Sequence, residues 1–179
     1  MSFPKDYFKK GYFPISSISS AGDGSQLAFS LPCDHHIYFT KDGNNLDRKI
    51  AKSKYIDEFV PKGGNPYEYF AENPFYGSLY FDPYRNLFFR IVKHPYKKAA
   101  ELGINHCYDY PPAFSIQILD NEFNLLGEQK INGLKYSMYV LFIHPDGIYI
   151  SSSNPKNDNT KEDKLDFQLF EIHDVFDKS

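Results

Sequence analysis

Short runs of alternating apolar and polar residues, separated by turn residues, recur along the chain. One kind of run follows a turn rich in Gly, Asp, Pro and Asn and occurs at 21–31, 82–92 and 144–152. Its paired apolar positions are Leu27/Phe29, Leu87/Phe89 and Ile148/Ile150. The offsets between these pairs are 60 and then 61 residues. A turn, an alternating strand and a constant offset together indicate a repeated β-hairpin.

A second kind of run follows each of the first. Residues 36–50 match residues 115–131, and a half-length copy covers 165–172. The aligned apolar positions are Ile37/Phe39, Ile116/Ile118 and Phe167/Leu169. Because alternate residues of a strand point to the same side, each pair is expected on one sheet face. Only the connection between the two kinds of run changes in length, which is how repeats usually vary.

Each repeat is therefore predicted to be a unit of four antiparallel strands. We place the units at 13–54, 75–133 and 136–173, in one partial domain that spans 1–179. Four strands in ~40–60 residues are typical of a β-propeller blade. The predicted fold is all-β, with three propeller-type blades that make half of a six-bladed ring. A β-sandwich would explain the alternation but not the repeated offset.

Helical signals are few, and both ends of the chain resemble edges of a larger ring. A short helix is predicted within 95–103, which starts with Pro and ends with Gly, and another turn of helix at 66–72. Residues 3–13 are a candidate strand of a further blade. The third unit ends early, so we expect either the C-terminal half of a ring or one of two chains that complete it. The missing start of the first unit favours the former.

Composition narrows the class of protein. The 15 Tyr and 17 Phe favour strands, and the net charge of −3 argues against a nucleic-acid partner. The chain has no apolar run near the ~18 residues that span a bilayer, and its start lacks the apolar core of a signal peptide. The two cysteines, Cys33 and Cys107, can pair or stay free, and their spacing does not decide between these states.

Three segments, at 80–95, 114–131 and 139–151, together resemble an uncharacterised family of bacterial cell-envelope lipoproteins. The matching features are a Tyr-Arg-Asn turn before an aromatic strand that ends in Arg90, an Asp-Asn turn before a Gly-Glu strand, and a glycine turn. The resemblance covers 75–172. It implies a TolB-like six-bladed propeller, of which this chain is the C-terminal half, and a place in the periplasm or cell envelope. It implies no catalytic residues.

The long connections between the strands are predicted to share one end of the units, because the strands of each unit are antiparallel. Loops on a rigid scaffold often carry binding groups. The predicted connections are 32–35, 53–74, 93–113 and 154–164. The candidate ligand-binding residues at this end are Tyr67, Arg90, His94, His106, Tyr108 and Tyr110. Arg90 is expected at the rim, in a salt bridge or in contact with an anion.

Metal binding has weak support in the sequence. A site can be assembled from His35, His94, His106 and a cysteine, but their spacing matches no recognised zinc pattern. Residues 154–163 resemble a calcium loop but lack its glycine and its bidentate glutamate. A solvated polar loop is therefore predicted there, and no metal or other cofactor is assigned.

The chain contains no nucleophile elbow, phosphate loop or dinucleotide fingerprint, so no catalytic residue is assigned. Our leading hypothesis is a non-enzymatic binding or interaction module that holds an unknown ligand or protein partner on the long-loop side. The alternative is a metal-dependent hydrolase or lactonase-like propeller enzyme. A homodimer that completes a six-bladed ring is one expected partner arrangement.

Overall fold

Strands dominate the fold. The computed structural model describes residues 7–12, 19–61, 64–161 and 163–173. The strands are β1 (Ser19–Gly22), β2 (Leu27–Ser30), β3 (His36–Thr40), β4 (Asp47–Ile50), β5 (Phe75–Asp82), β6 (Leu87–Lys93), β7 (Ala113–Leu119), β8 (Leu125–Asn132), β9 (Leu141–His144), β10 (Gly147–Ser151) and β11 (Phe167–Phe170). The helices are α1 (Pro66–Glu72), α2 (Ala99–Leu102) and α3 (Ile104–Asp109), and Phe8–Lys10 form a 3-10 turn.

The strands form three antiparallel sheets, each made from a consecutive stretch of chain. The first sheet has the order β1-β2-β3-β4, the second β5-β6-β7-β8, and the third β11-β10-β9. The prediction of an all-β fold is confirmed. Strands β2, β6 and β10 begin at Leu27, Leu87 and Gly147, each 60 residues after the one before. A fourth strand of the third unit would fall on 174–179, outside the described residues.

The second sheet lies between the other two. One of its faces packs on the first sheet through Leu79, Phe88, Leu119 and Phe123, which contact Ala28 and Ile37. The opposite face packs on the third sheet through Leu87, Phe89, Ile91 and Ile116, which contact Ile148 and Ile150. Because successive side chains of a strand point to opposite sides, β6 is buried at each of its positions.

The alignment of the second kind of run predicted the sheet faces correctly. Ile37 faces the second sheet, and Ile116 faces the third. The alignment of the first kind of run was wrong by one residue in the second sheet. Leu27 faces away from the second sheet and Ile148 packs on it, so both point to the preceding side of their units, whereas Leu87 packs on the third sheet and Phe88 holds the equivalent position. A slip of one residue moves a side chain to the other face of a sheet, so Leu27 and Leu87 lie on non-equivalent faces.

The helices follow the sequence signals. The prediction at 66–72 is confirmed: α1 starts after Asn65, whose side chain accepts a hydrogen bond from the backbone N–H of Tyr67 at 2.8 Å, and Pro occupies its first position. The helix predicted within 95–103 is present as α2.

The candidate strand at 3–13 is wrong where the structure describes it, because Phe8–Lys10 form a 3-10 turn. Tyr7 is buried there against Leu31, Cys33 and Tyr38 of the first sheet. Residues 3–6 and 13 lie outside the described part of the chain.

The longest connections all lie at one end of the sheets, and the turns at the opposite end have two to six residues. These turns are 23–26, 41–46, 83–86, 120–124 and 145–146. Aspartates shape four of them, each accepting hydrogen bonds from two backbone N–H groups of its turn: Asp23, Asp42, Asp82 and Asp120. The other end, here called the long-loop end, carries 31–35, 51–74, 94–112, 133–140 and 152–166. No helix in the described part of the chain is long and apolar enough to cross a bilayer.

Candidate functional site

The two longest connections join into one helical layer at the long-loop end. Helix α1 comes from 51–74, and α2 and α3 come from 94–112. The backbone N–H of Tyr96 donates to the carbonyl of Glu72 at 2.9 Å, and the hydroxyl of Tyr69 donates to the carbonyl of Val60 at 2.6 Å. These bonds fix the helices to each other and to the connection beneath them. Side chains on this layer therefore have a rigid support.

Three tyrosines form an exposed group, here called the tyrosine patch: Tyr67 and Tyr108 on this layer, and Tyr139 in the connection 133–140. They are 55%, 38% and 50% exposed, respectively. The rings of Tyr67 and Tyr108 meet edge to face with centroids 5.3 Å apart, and the Tyr139 hydroxyl donates to the Tyr108 carbonyl at 3.4 Å. Tyrosine joins a large apolar surface to a polar tip, which suits it to binding surfaces. Two of the predicted site residues, Tyr67 and Tyr108, are thus in contact.

His106 and Tyr110, also predicted site residues, form a separate pair. Their rings stack with centroids 5.5 Å apart and an angle of 22° between their planes. Burial lowers the pKa of His106. Its Nε2 atom is buried without a hydrogen-bond partner among the described residues. His106 lies within α3, two residues before Tyr108, and Tyr110 is the C-cap residue of the helix.

Arg90 does not lie at the rim, so that prediction is wrong. Its side chain is fully buried between the first and second sheets. The guanidinium carbon lies 3.6 Å from the centre of the Tyr76 ring, and Nε donates to Oε1 of Gln117 at 2.8 Å. A second nitrogen donates to the carbonyl of Ala51. Burial lowers the pKa of Arg90 to about 10, so the group stays charged at neutral pH and joins the two sheets.

A buried polar chain continues from this arginine along the same face of the second sheet. His94 Nε2 lies 3.0 Å from the hydroxyl of Ser115, which donates to Oε1 of Glu128 at 2.5 Å. Since the single hydroxyl hydrogen goes to the carboxylate, Nε2 is the donor to Ser115. The hydroxyl of Ser53 donates to the same oxygen at 2.7 Å. Burial lowers the pKa of His94 to about 4, so His94 is neutral and structural in this position.

Tyr76 joins the Arg90 group to the chain of His94, Ser115, Glu128 and Ser53. Its hydroxyl accepts a hydrogen bond from the backbone N–H of Ser53 at 2.9 Å and lies 2.8 Å from Nδ1 of His35. Burial, as the largest cause, lowers the pKa of His35 to about 4. The predicted site residues therefore divide into a buried group with Arg90 and His94 and an outer group at the helical layer.

Lys93 is a buried polar residue that the sequence analysis missed. Its ammonium group donates to the carbonyls of Ala71, Asn73 and His94 at 2.9, 3.0 and 3.3 Å. These three acceptors match the three N–H groups of a protonated lysine, while burial lowers its pKa. Its position as the last residue of an otherwise apolar strand was the available signal, since a lone polar residue there needs a buried partner.

The cysteines and histidines considered for a metal do not converge. Cys33 and Cys107 are both free and buried, Cys33 with Tyr7 on the first sheet and Cys107 with Ala71 among the helices. Among the described residues, no group of three or more His, Cys, Asp or Glu side chains is arranged to hold a metal ion.

Amide side chains fix the connection at 154–163 to the backbone beside it. The buried Asn154 donates to the carbonyl of Gly133 and accepts from the backbone N–H of Lys156 at 2.8 Å. Asn157 donates to the carbonyl of Ser152 at 2.7 Å. Its Asn side chains thus act as turn-forming groups.

Comparison with known proteins gives a family but no activity. Residues 4–130 match the family described as a domain of unknown function, DUF4221. A crystal structure of a DUF4221 member from Bacteroides vulgatus ATCC 8482 has a TM-score of 0.74 and 29% sequence identity to the chain. The match covers 90% of this chain and 46% of that one, so the chain spans about half the length of this relative. No curated protein is significantly similar to the sequence. Since the family match extends over more than half of its residues, the chain belongs to the DUF4221 family.

Proposed function

We propose that the chain is a binding or interaction module that holds its ligand or partner at the long-loop end, on the tyrosine patch. The observation that carries this proposal is the contact between Tyr67 and Tyr108, two exposed aromatic rings 5.3 Å apart on a layer fixed by hydrogen bonds. Large aromatic side chains held on a rigid support bind with little loss of conformational freedom.

We further propose that the three sheets are blades of a TolB-like β-propeller, and that they make half of a six-bladed ring. The face-to-face stacking of three consecutive antiparallel sheets, two of four strands and one of three, supports this arrangement. The solved relative, which is about twice as long as the matched region, has enough chain for further blades. On this proposal the long-loop end is one end of the ring, and the protein acts in the periplasm or cell envelope like the lipoproteins that it resembles.

A thermal-shift screen of peptides and glycans tests the binding function. We expect at least one class of compound to raise the melting temperature of the wild-type chain, because a ligand that binds only the folded state stabilises it. Tyr108→Ala should abolish the shift. Tyr84→Ala is the matched control, since Tyr84 is 57% exposed but lies in a short turn at the opposite end. A compound that raises the melting temperature of Tyr108→Ala as much as that of the wild type would argue against this site. A complete screen in which no compound raises the melting temperature would argue against it as well.

The alternative of a metal-dependent hydrolase gains no support from the described residues, which contain no metal-binding group of acidic, histidine or cysteine side chains.

A further inference from the structure

The outward face of the third sheet is apolar and exposed. Along β10, Ile148 and Ile150 point to the second sheet, so Tyr149 points away from it. On that outward side the ring of Phe142 stacks on Tyr149 with centroids 5.0 Å apart and meets Phe167 at 5.1 Å. Phe142 is 44% exposed. Apolar surface grouped in this way usually marks a contact with another protein surface.

The repeat shows what kind of surface this face is built to meet. Ile37 and Phe39 of the first sheet contact the second sheet, and Ile116 and Ile118 of the second contact the third. Phe167 and Leu169 hold the same positions in the third sheet. In two of the three units, therefore, these positions pack against the next sheet.

The first sheet ends the stack with the complementary face. Phe88 and Ile148 point to the preceding sheet in the second and third units. Leu27 lies 61 residues before Phe88 and 121 before Ile148, and it is 43% exposed on the outward side of the first sheet. Phe29 and Tyr38 lie on the same side but are covered by the Tyr7 turn, so the exposed part of this face is at Leu27. Each end of the stack thus carries exposed apolar residues at positions that pack against a neighbouring sheet in the other units.

We propose that a second copy of this chain covers these faces, with the third sheet of each copy packed on the first sheet of its partner. This inference rests on the proposed blade arrangement. Two identical contacts of this kind close a dimer of six sheets about a two-fold axis, which leaves both end faces buried. The solved relative carries about twice the matched length in a single chain, and two copies of this chain supply the same amount of structure.

The mass of the chain in solution tests the proposal. Sedimentation velocity over a concentration series should give a species of twice the chain mass. Phe142→Glu should weaken this association by at least tenfold, because it places a charge in an apolar sheet contact. Leu27→Glu should weaken it as well, although Leu27 lies at the opposite end of the stack. Tyr84→Glu, at an equally exposed aromatic in a short turn, should leave it unchanged.

Circular dichroism and thermal melting at a concentration where the wild type is monomeric separate lost association from lost folding. A wild-type chain that stays monomeric throughout the series overturns the proposal. Association that is weakened by Phe142→Glu but not by Leu27→Glu also overturns it, since it would mean that two third sheets meet each other. None of these outcomes affects the Tyr108-dependent ligand screen, so the dimer and the binding function fail separately.

Discussion

The ammonium group of Lys93 donates a hydrogen bond to the carbonyl of Ala71 at 2.9 Å, which ties β6 to the last turn of α1. Lys93→Met keeps most of the side-chain volume but leaves this carbonyl and that of Asn73 without their donor. We expect the free energy of unfolding to fall by about 2–4 kcal/mol, measured by urea denaturation. Lys97→Met is the control: Lys97 is exposed and bonds the Asn73 side chain at 3.1 Å, so the loss should stay below about 1 kcal/mol.

Arg90 allows the role of charge to be separated from that of packing. Arg90→Lys replaces a planar group stacked on Tyr76 by a more strongly hydrated ammonium, whereas Arg90→Met replaces it by an apolar chain. The carbonyl of Ala51 keeps a donor in both variants, because Gln117 also donates to it at 3.2 Å. We expect Arg90→Lys to lower the free energy of unfolding by about 3 kcal/mol and Arg90→Met by less. The reverse order in urea denaturation would contradict this assignment.

His94 should make the stability of the fold depend on acid. The pKa of His94 is lowered from 6.5 to about 4 in the folded chain, so below pH 6.5 the unfolded chain binds the extra proton and the folded chain does not. The stabilisation is complete above pH 6.5 and is lost as the pH falls toward 4. Between pH 7 and pH 4.5, the free energy of unfolding should fall by about 2 kcal/mol less in His94→Gln than in the wild type. Denaturation at these two pH values measures the difference.

The matched control for this pH dependence is His173→Gln, because the His173 side chain is 83% exposed. We expect it to leave the slope of stability against pH unchanged. A slope equally reduced in both variants would contradict the role of the buried His94.

Two glycines offer a matched test of close packing at the long-loop end. A Cβ atom at Gly133 would lie 1.8 Å from the carbonyl oxygen of Pro111, while one at Gly127 meets nothing within 4 Å. Gly133→Ala should therefore lower the free energy of unfolding by more than about 2 kcal/mol. Gly127→Ala should change it by less than about 0.5 kcal/mol. Thermal melts of both variants provide the comparison, and similar effects would show that the turn after β8 moves freely.

The sequence predicted sheet content and pairing partners better than it predicted faces. Alternation identified strands such as β7, because its apolar residues Phe114, Ile116 and Ile118 follow the period of a strand. It could not decide whether Leu87 or Phe88 corresponds to Leu27, because both are apolar and both are buried in a strand covered on its two faces. Only packing against the neighbouring sheets decides between them.

In the candidate site, too, the sequence indicated which residues matter but not which contacts they make. Tyr67 and Tyr108 were predicted as loop aromatics, and their contact depends on how α1 and α3 pack, which no local pattern encodes. Arg90 was placed at the rim because it follows apolar residues in a strand. Its burial follows from the segment after β4, whose Ala51 carbonyl supplies an acceptor from a distant part of the sequence. Long-range backbone partners of this kind leave no mark in the sequence around the residue that they bind.

Because each sheet is drawn from one uninterrupted stretch of chain, a duplication or deletion of one such stretch in the gene would add or remove a whole layer while leaving the pairing within the remaining layers intact. Such an architecture lets a lineage change the number of layers in single steps. Each such step also creates a new pair of end faces, whose side chains must then change until the two faces fit each other.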